Sequence, residues 1–313
     1  RLTLINADEA DLAVIFCGAR PGAFDELRAL TVSLRVRTVG LQAGMVGSND
    51  GPHTPARHPG ADEAVLVLPR LETVSVSGFR QAVPAALLRA VAAAPVRSLL
   101  LDMTIRNAAE VDFRRMAQLR RLEVLLPYHD DVQAVLDAVF AGPATLLAVS
   151  ISTQTPLRGL LPDAVRLANL RRLRIDTLVA LEGVWRVLRQ LPRLVFLETK
   201  AGRRPEPTDQ AELVPLDDVR AAVLGGVAPV SGSLQVLDIW HKAPLCTPAG
   251  APTRLGAEIV AHAAAIPTLQ RLGCCTAAAG VRAMLAALLG DDAVAAHAPH
   301  LGRVDVRTSC LQW

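Results

Sequence analysis

A cassette of aliphatic residues, Leu-x-x-Leu-x-aliphatic, recurs ten times along the chain and limits its fold more than any single residue does. The cassettes begin at Leu27 (with Leu30 and Val32), Leu71 (Val74, Val76), Val96 (Leu99, Leu101), Leu119 (Leu122, Val124) and Ala144 (Leu147, Val149). Five more begin at Leu170 (Leu173, Ile175), Leu194 (Leu197, Thr199), Leu234 (Leu237, Ile239), Leu269 (Leu272, Cys274) and Leu301 (Val304, Val306). Starts from Leu71 to Leu194 lie 25, 23, 25, 26 and 24 residues apart. Self-similarity at such a period marks a repeat array, in which each unit buries its apolar face only by stacking on its neighbours.

Within a cassette apolar and polar positions alternate, as a half-buried strand requires, and the segment that follows turns helical in composition. Helices are expected at Pro84 to Ala94, Asp131 to Phe140, Leu181 to Leu191, Leu216 to Leu224, Leu255 to Ile266 and Val281 to Leu289, where apolar residues recur every three or four positions. A proline then stands shortly before the next strand: Pro69, Pro95, Pro143, Pro192, Pro267 and Pro299. Proline cannot continue a helix and biases its predecessor toward extended backbone, so it separates helix from strand. Strands joined by helical crossovers pair in parallel. The expected fold is therefore α/β: one solenoid domain over residues 1–313, a horseshoe with a parallel concave sheet and helices on the convex side.

Three steps between cassettes are too long, and the excess falls after a strand, at residues 40–64, 201–215 and 243–252. In a parallel array these insertions leave the same edge, where loops often carry recognition. Aromatic residues are only 3% of the chain, so Leu, Val and Ala must fill the core. A net charge of +3 from 33 basic and 30 acidic residues argues for neither nucleic acid nor a membrane as partner. The apolar stretch from Leu12 to Ala19 is too short to span a bilayer and lacks the basic lead of a secretory signal. Five cysteines with no Cys-x-x-Cys pair suit neither a disulfide framework nor a zinc site, pointing to an intracellular, cytoplasmic or nuclear location. Cys274, at a third aliphatic position, is expected to act as a small buried hydrophobe.

The strand plus Ala/Leu-rich helix, with its Pro-x-Leu-x-x-Leu opening, resembles the leucine-rich repeat proteins of the ribonuclease-inhibitor-like class over nearly the whole chain. Irregular repeats with long insertions are most similar to the substrate-receptor region of F-box proteins, of the divergent fungal type. That resemblance implies a protein-binding module, the substrate-recognition region of a ubiquitin ligase adaptor. The family's Asn or Cys three residues beyond the third aliphatic is replaced here by Phe79, Thr104, Pro127, Ser152, Leu178, Gly202, Lys242, Ala277 and Ser309. No Leu-Pro-x-Glu-type segment of an F-box is present. The chain starts at Arg1 rather than Met, and docking to a cullin-RING adaptor is expected through a segment ahead of it.

Side chains at the fifth and seventh cassette positions should face outward on the concave sheet. The charged part of that face carries Arg174 and Asp176, Glu198 and Lys200, Asp238 and Trp240, and Asp305 and Arg307, with Arg172 beside them. Trp240 is the expected anchor, because aromatic side chains at outward positions dominate binding energy at interfaces. Its bland alternative is packing beneath the 243–252 loop. No phosphate loop, dinucleotide fingerprint or nucleophile elbow occurs, so neither an enzyme nor a cofactor is expected. His297 and His300 lack a third ligand for a metal. The paired acids Asp130 and Asp131, Asp217 and Asp218, and Asp291 and Asp292 read as helix caps. A free-standing scaffold with no ubiquitin role is the alternative function, and an enzyme the least favoured.

Overall fold

The computed structural model describes residues 1–7, 9–17, 20, 22–34, 67–77, 85–102, 113–126, 139, 141–153, 167–179, 181–201, 212–226, 232–240, 244–274 and 278–308. These residues form two compact units, Arg1–Met116 and Ala117–Trp313. The 40–64 insertion and, apart from Val139, the expected 131–140 helix lie outside the described residues.

In the first unit, strands β1 (Leu2–Ala7), β2 (Ala29–Leu34), β3 (Thr73–Ser77) and β4 (Ser98–Asp102) lie side by side in chain order, all parallel. Helix α1 (Glu9–Cys17) connects β1 to β2, and α2 (Ala85–Ala93) precedes β4. The cassette aliphatics align across the strands, Leu30 with Val74 and Val74 with Leu99. Neither β1 nor α1 was expected. Leu2 and Leu4 pair with Leu30 and Val32, so β1 carries half a cassette, and the apolar run read only as too short for a membrane is α1.

In the second unit seven parallel strands follow one another: β5 (Arg121–Leu126), β6 (Ala148–Thr153), β7 (Arg172–Val179), β8 (Phe196–Ala201), β9 (Val236–Trp240), β10 (Arg271–Cys274) and β11 (Asp305–Thr308). Leu122, Val149, Leu173, Leu197, Leu237, Leu272 and Val306 align in one row across the seven, none more than 3% exposed. Each such leucine contributes about 1.5–3 kcal/mol of burial. Cys274 is buried, as expected of a small hydrophobe. Helices α3 (Leu181–Gln190), α4 (Leu216–Leu224), α5 (Arg254–Ala264) and α6 (Ala278–Leu289) stand at or within a few residues of the expected spans. A short helix α7 (Asp292–His297) and a 3-10 turn (Pro299–Arg303) come before β11 and were not expected. Asp291 caps α7 by accepting from the amides of Ala293 and Val294, whereas Asp217 and Asp218 lie in the first turn of α4. Asp130 and Asp131 lie outside the described residues.

Backbone hydrogen bonds show where each repeat begins. The amides at the second and third cassette positions both donate to the carbonyl at the second position of the preceding repeat, as in Arg171 and Arg172 to Leu147 and Val195 and Phe196 to Arg171. This pattern corrects two cassettes. Leu147 and Ala148 donate to Arg120, so the fifth cassette is Leu146, Val149 and Ile151 rather than Ala144, Leu147 and Val149. Leu146 is fully buried and Ala144 exposed. Asp305 donates to Gln270 and Val306 pairs with Leu272, which sets the last cassette two residues later than Leu301. The first misreading occurs where consecutive aliphatics, Leu146 to Val149, let two registers satisfy the same spacing; in the last repeat the true frame places Arg303 and Thr308 at aliphatic positions, so the pattern favoured the wrong one.

A side-chain ladder runs along the edge where the strands begin. Thr145 donates to the carbonyl of Leu119, Asn169 to Ala144, Ser233 to Leu194 and Thr268 to Leu234, at 2.8–3.0 Å. All four occupy the position just before a cassette. They tie neighbouring repeats together at the edge opposite the one where the leucine-rich repeat consensus places its Asn or Cys.

Candidate functional site

The parity that buries the fourth and sixth cassette positions turns the third and fifth to the other side of the sheet. In the second unit the third positions form one row, Arg121, Ala148, Arg172, Phe196, Val236, Arg271 and Asp305, and the fifth positions another, Glu123, Ser150, Arg174, Glu198, Asp238, Gly273 and Arg307. Asp305 and Arg307 therefore stand one row earlier than their cassette implied. They remain exposed and pair with each other.

Over β5 to β8 these rows line an open groove of about 520 Å³. Ala148 and Ser150 lie between the larger side chains of Arg121 and Glu123 on one strand and Arg172 and Arg174 on another, and Phe196 and Glu198 close the far side. Arg174 is held loosely, 3.5 Å from Glu198, and Arg121 lies 3.9 Å from Glu123. Arg172 stacks on Phe196 with its guanidinium carbon 5.0 Å from the ring centroid. Such stacking is worth about 0.5–1 kcal/mol at an exposed site and leaves the in-plane N–H edges able to donate. Burial pushes the Glu198 carboxyl above the usual carboxylate range; Arg174 opposes the shift, while Asp238 and Asp176 add to it.

The remaining expected residues divide. Asp238 is only 6% exposed and bound at 2.7 Å to Arg271, so it acts as an internal ion pair rather than an accessible contact. One of its carboxylate oxygens has no hydrogen-bond partner. Arg271 also reaches over Phe196, 5.9 Å from its centroid, so the ring lies against two guanidinium groups. Asp176 accepts from the Ser152 hydroxyl at 3.5 Å. A register shift after Ile175 pairs Lys200 with Leu178, so Lys200 does not stand beside Asp176. Trp240 is half-buried at the end of β9, paired with Lys200.

Two of the insertions meet. Leu213 bridges Thr253, Cys246 bridges Pro252, and Val214 donates to the Pro252 carbonyl at 3.0 Å. Glycines make the close fit possible: a Cβ on Gly256 of α5 would lie 1.8 Å from the Leu245 carbonyl oxygen, and one on Gly280 of α6 would lie 2.4 Å from that of Thr247. The 244–253 loop is therefore clamped against helices, with Thr253 capping α5 through the Gly256 amide.

His262 of α5 is buried, stacked on Trp185 at 4.0 Å, and burial, with help from Arg189, lowers its pKa to about 4. Trp185 donates to Glu258 at 3.0 Å. His300 lies 3.1 Å from the Ala263 carbonyl and His297 is exposed. Among the described residues no three His, Cys, Asp or Glu side chains are grouped to hold a metal ion, and no helix is long and apolar enough to cross a membrane.

No family model and no curated protein matches this chain. The groove must therefore be read from its own residues. Attention to the fifth and seventh positions missed Arg121 and Phe196, which occupy third positions. The signal was present, because the third position has the same parity as the fifth.

Proposed function

We propose that this chain is a leucine-rich-repeat-type protein-binding module, its contact surface the groove over β5 to β8, and that it serves as the substrate-recognition region of an F-box-type ubiquitin ligase adaptor. The supporting observation is the groove itself: an open stretch of sheet where Arg172 and Arg174 stand exposed beside small residues, on a scaffold whose opposite face is filled by aliphatics. Arginine and aromatic side chains are the types that most often dominate interface energy. The ubiquitin role rests on the resemblance of the irregular repeats to F-box receptors. A free-standing scaffold uses the same surface without the adaptor.

The test is affinity capture with the full-length gene product, comparing wild type with Arg172→Glu/Arg174→Glu. The expected result is recovery of the cullin-RING adaptor with both forms and of further partners with wild type alone. Partners without the adaptor leave a scaffold. Partners that persist in the double variant remove the groove from the reading.

A further inference from the structure

We infer that the partner of this groove presents an acidic peptide segment, one of whose side-chain carboxylates is held between Arg121 and Arg172 above Ala148 and Ser150. This rests on the protein-binding reading and names the chemistry its partner must carry. Arg121, Ala148 and Arg172 are register neighbours on β5, β6 and β7, so the two arginines start about 10 Å apart, two strand spacings. A methyl group and a hydroxyl are all that rise between them. Two long side chains can converge over that floor on one carboxylate, with N–H···O bonds of about 2.7–2.9 Å.

The charges select the ligand. Five charged side chains line the groove, three arginines against Glu123 and Glu198. Glu198 opposes Arg174 and Glu123 lies near Arg121, but Arg172 makes no ion pair among the described residues. Phe196 supports the Arg172 guanidinium, whose carbon lies 5.0 Å from the ring centroid, and a guanidinium on an aromatic face keeps its N–H donors for other partners. The unmatched charge is thus a single positive one, suited to a monoanion. A phosphate dianion would face Glu123 and Glu198 at close range. The groove is open along the sheet, which suits a chain segment better than an enclosed small molecule.

A dye-labelled hexaglutamate peptide, titrated against the full chain and followed by fluorescence anisotropy, tests the assignment. Saturable binding that weakens with added salt is expected, at least tenfold weaker for Arg172→Ala and unchanged for Arg254→Ala, an exposed arginine of α5. A hexalysine peptide should not bind. Failure of hexaglutamate to bind wild type, or equal binding by Arg172→Ala, overturns the inference. Displacement by inorganic phosphate at concentrations where acetate has no effect also overturns it, in favour of a phosphate ligand. The two readings fail separately. If hexaglutamate does not bind yet Arg172→Glu/Arg174→Glu abolishes partner capture, the groove stands and its acidic ligand falls; if hexaglutamate binds and capture is unaffected, the protein-binding reading falls.

Discussion

The sheet face over β5 to β7 and the same face over β8 to β10 are built from the same two rows of positions, yet they are finished differently. Over β8 to β10 the charges are spent internally: Arg271 grips Asp238 at 2.7 Å, and the neighbouring outward position is Gly273, with no side chain at all. The adjoining 244–253 loop is held down by Gly256 and Gly280. Over β5 to β7 the contacts are loose, 3.9 Å between Arg121 and Glu123 and 3.5 Å from Arg174 to Glu198 at the edge of β8, and small residues leave an opening. Surface ion pairs of that kind contribute about 0–1 kcal/mol. One part of the face is spent on internal contacts and the other is left open.

The comparison breaks most sharply if stability does not follow it. Gly256→Ala forces a methyl group into the Leu245 carbonyl, so a loss of about 3 kcal/mol is expected, read as a lower midpoint in urea. An unchanged midpoint would mean that the loop is not clamped. A similar size is expected from His262. Its pKa is lowered on folding, so the unfolded chain takes up a proton first: stability is complete above pH 6.5, is lost as pH falls toward about 4, and levels off below. The loss should reach about 3 kcal/mol in wild type and be absent in His262→Phe, which keeps the stack on Trp185; melting temperatures between pH 7 and pH 4 decide it.

Smaller effects sharpen the contrast across the face. Asp238→Ala strands a partly buried Arg271 and should cost about 2 kcal/mol, whereas Arg172→Ala should cost less than about 0.5 kcal/mol by the same denaturation measurement. Equal costs would erase the distinction between the two parts of the face. Glu198→Gln is expected to stabilise slightly at pH 7, because a carboxyl whose pKa is raised on folding weakens the fold as pH rises through that value. It should also tighten hexaglutamate binding by releasing Arg174.

Much of the scaffold was legible in the sequence because strand and helix periods alternate cleanly and proline separates them. Leu216 to Leu224 was placed to the residue. Register failed where aliphatics run together, at Leu146 to Val149, since side-chain type cannot separate two frames that only a backbone hydrogen bond distinguishes. The site was legible by position but not by use. Arg172 and Arg174 stand exposed as expected, but Asp238 shares their parity and is buried, because the reach of Arg271 from the adjacent strand is not written in spacing. The meeting of 212–214 with 252–254 is equally invisible to a period, and only Gly256 and Gly280, unusual within helices, hinted at a close approach.

The most direct test fills the groove. Ser150→Trp puts a large ring on its floor without touching the buried rows, and capture of partners by the full-length product is then compared with wild type. Lost capture at an unchanged melting temperature is the expected result. Undiminished capture would contradict the assignment of this face as the binding surface.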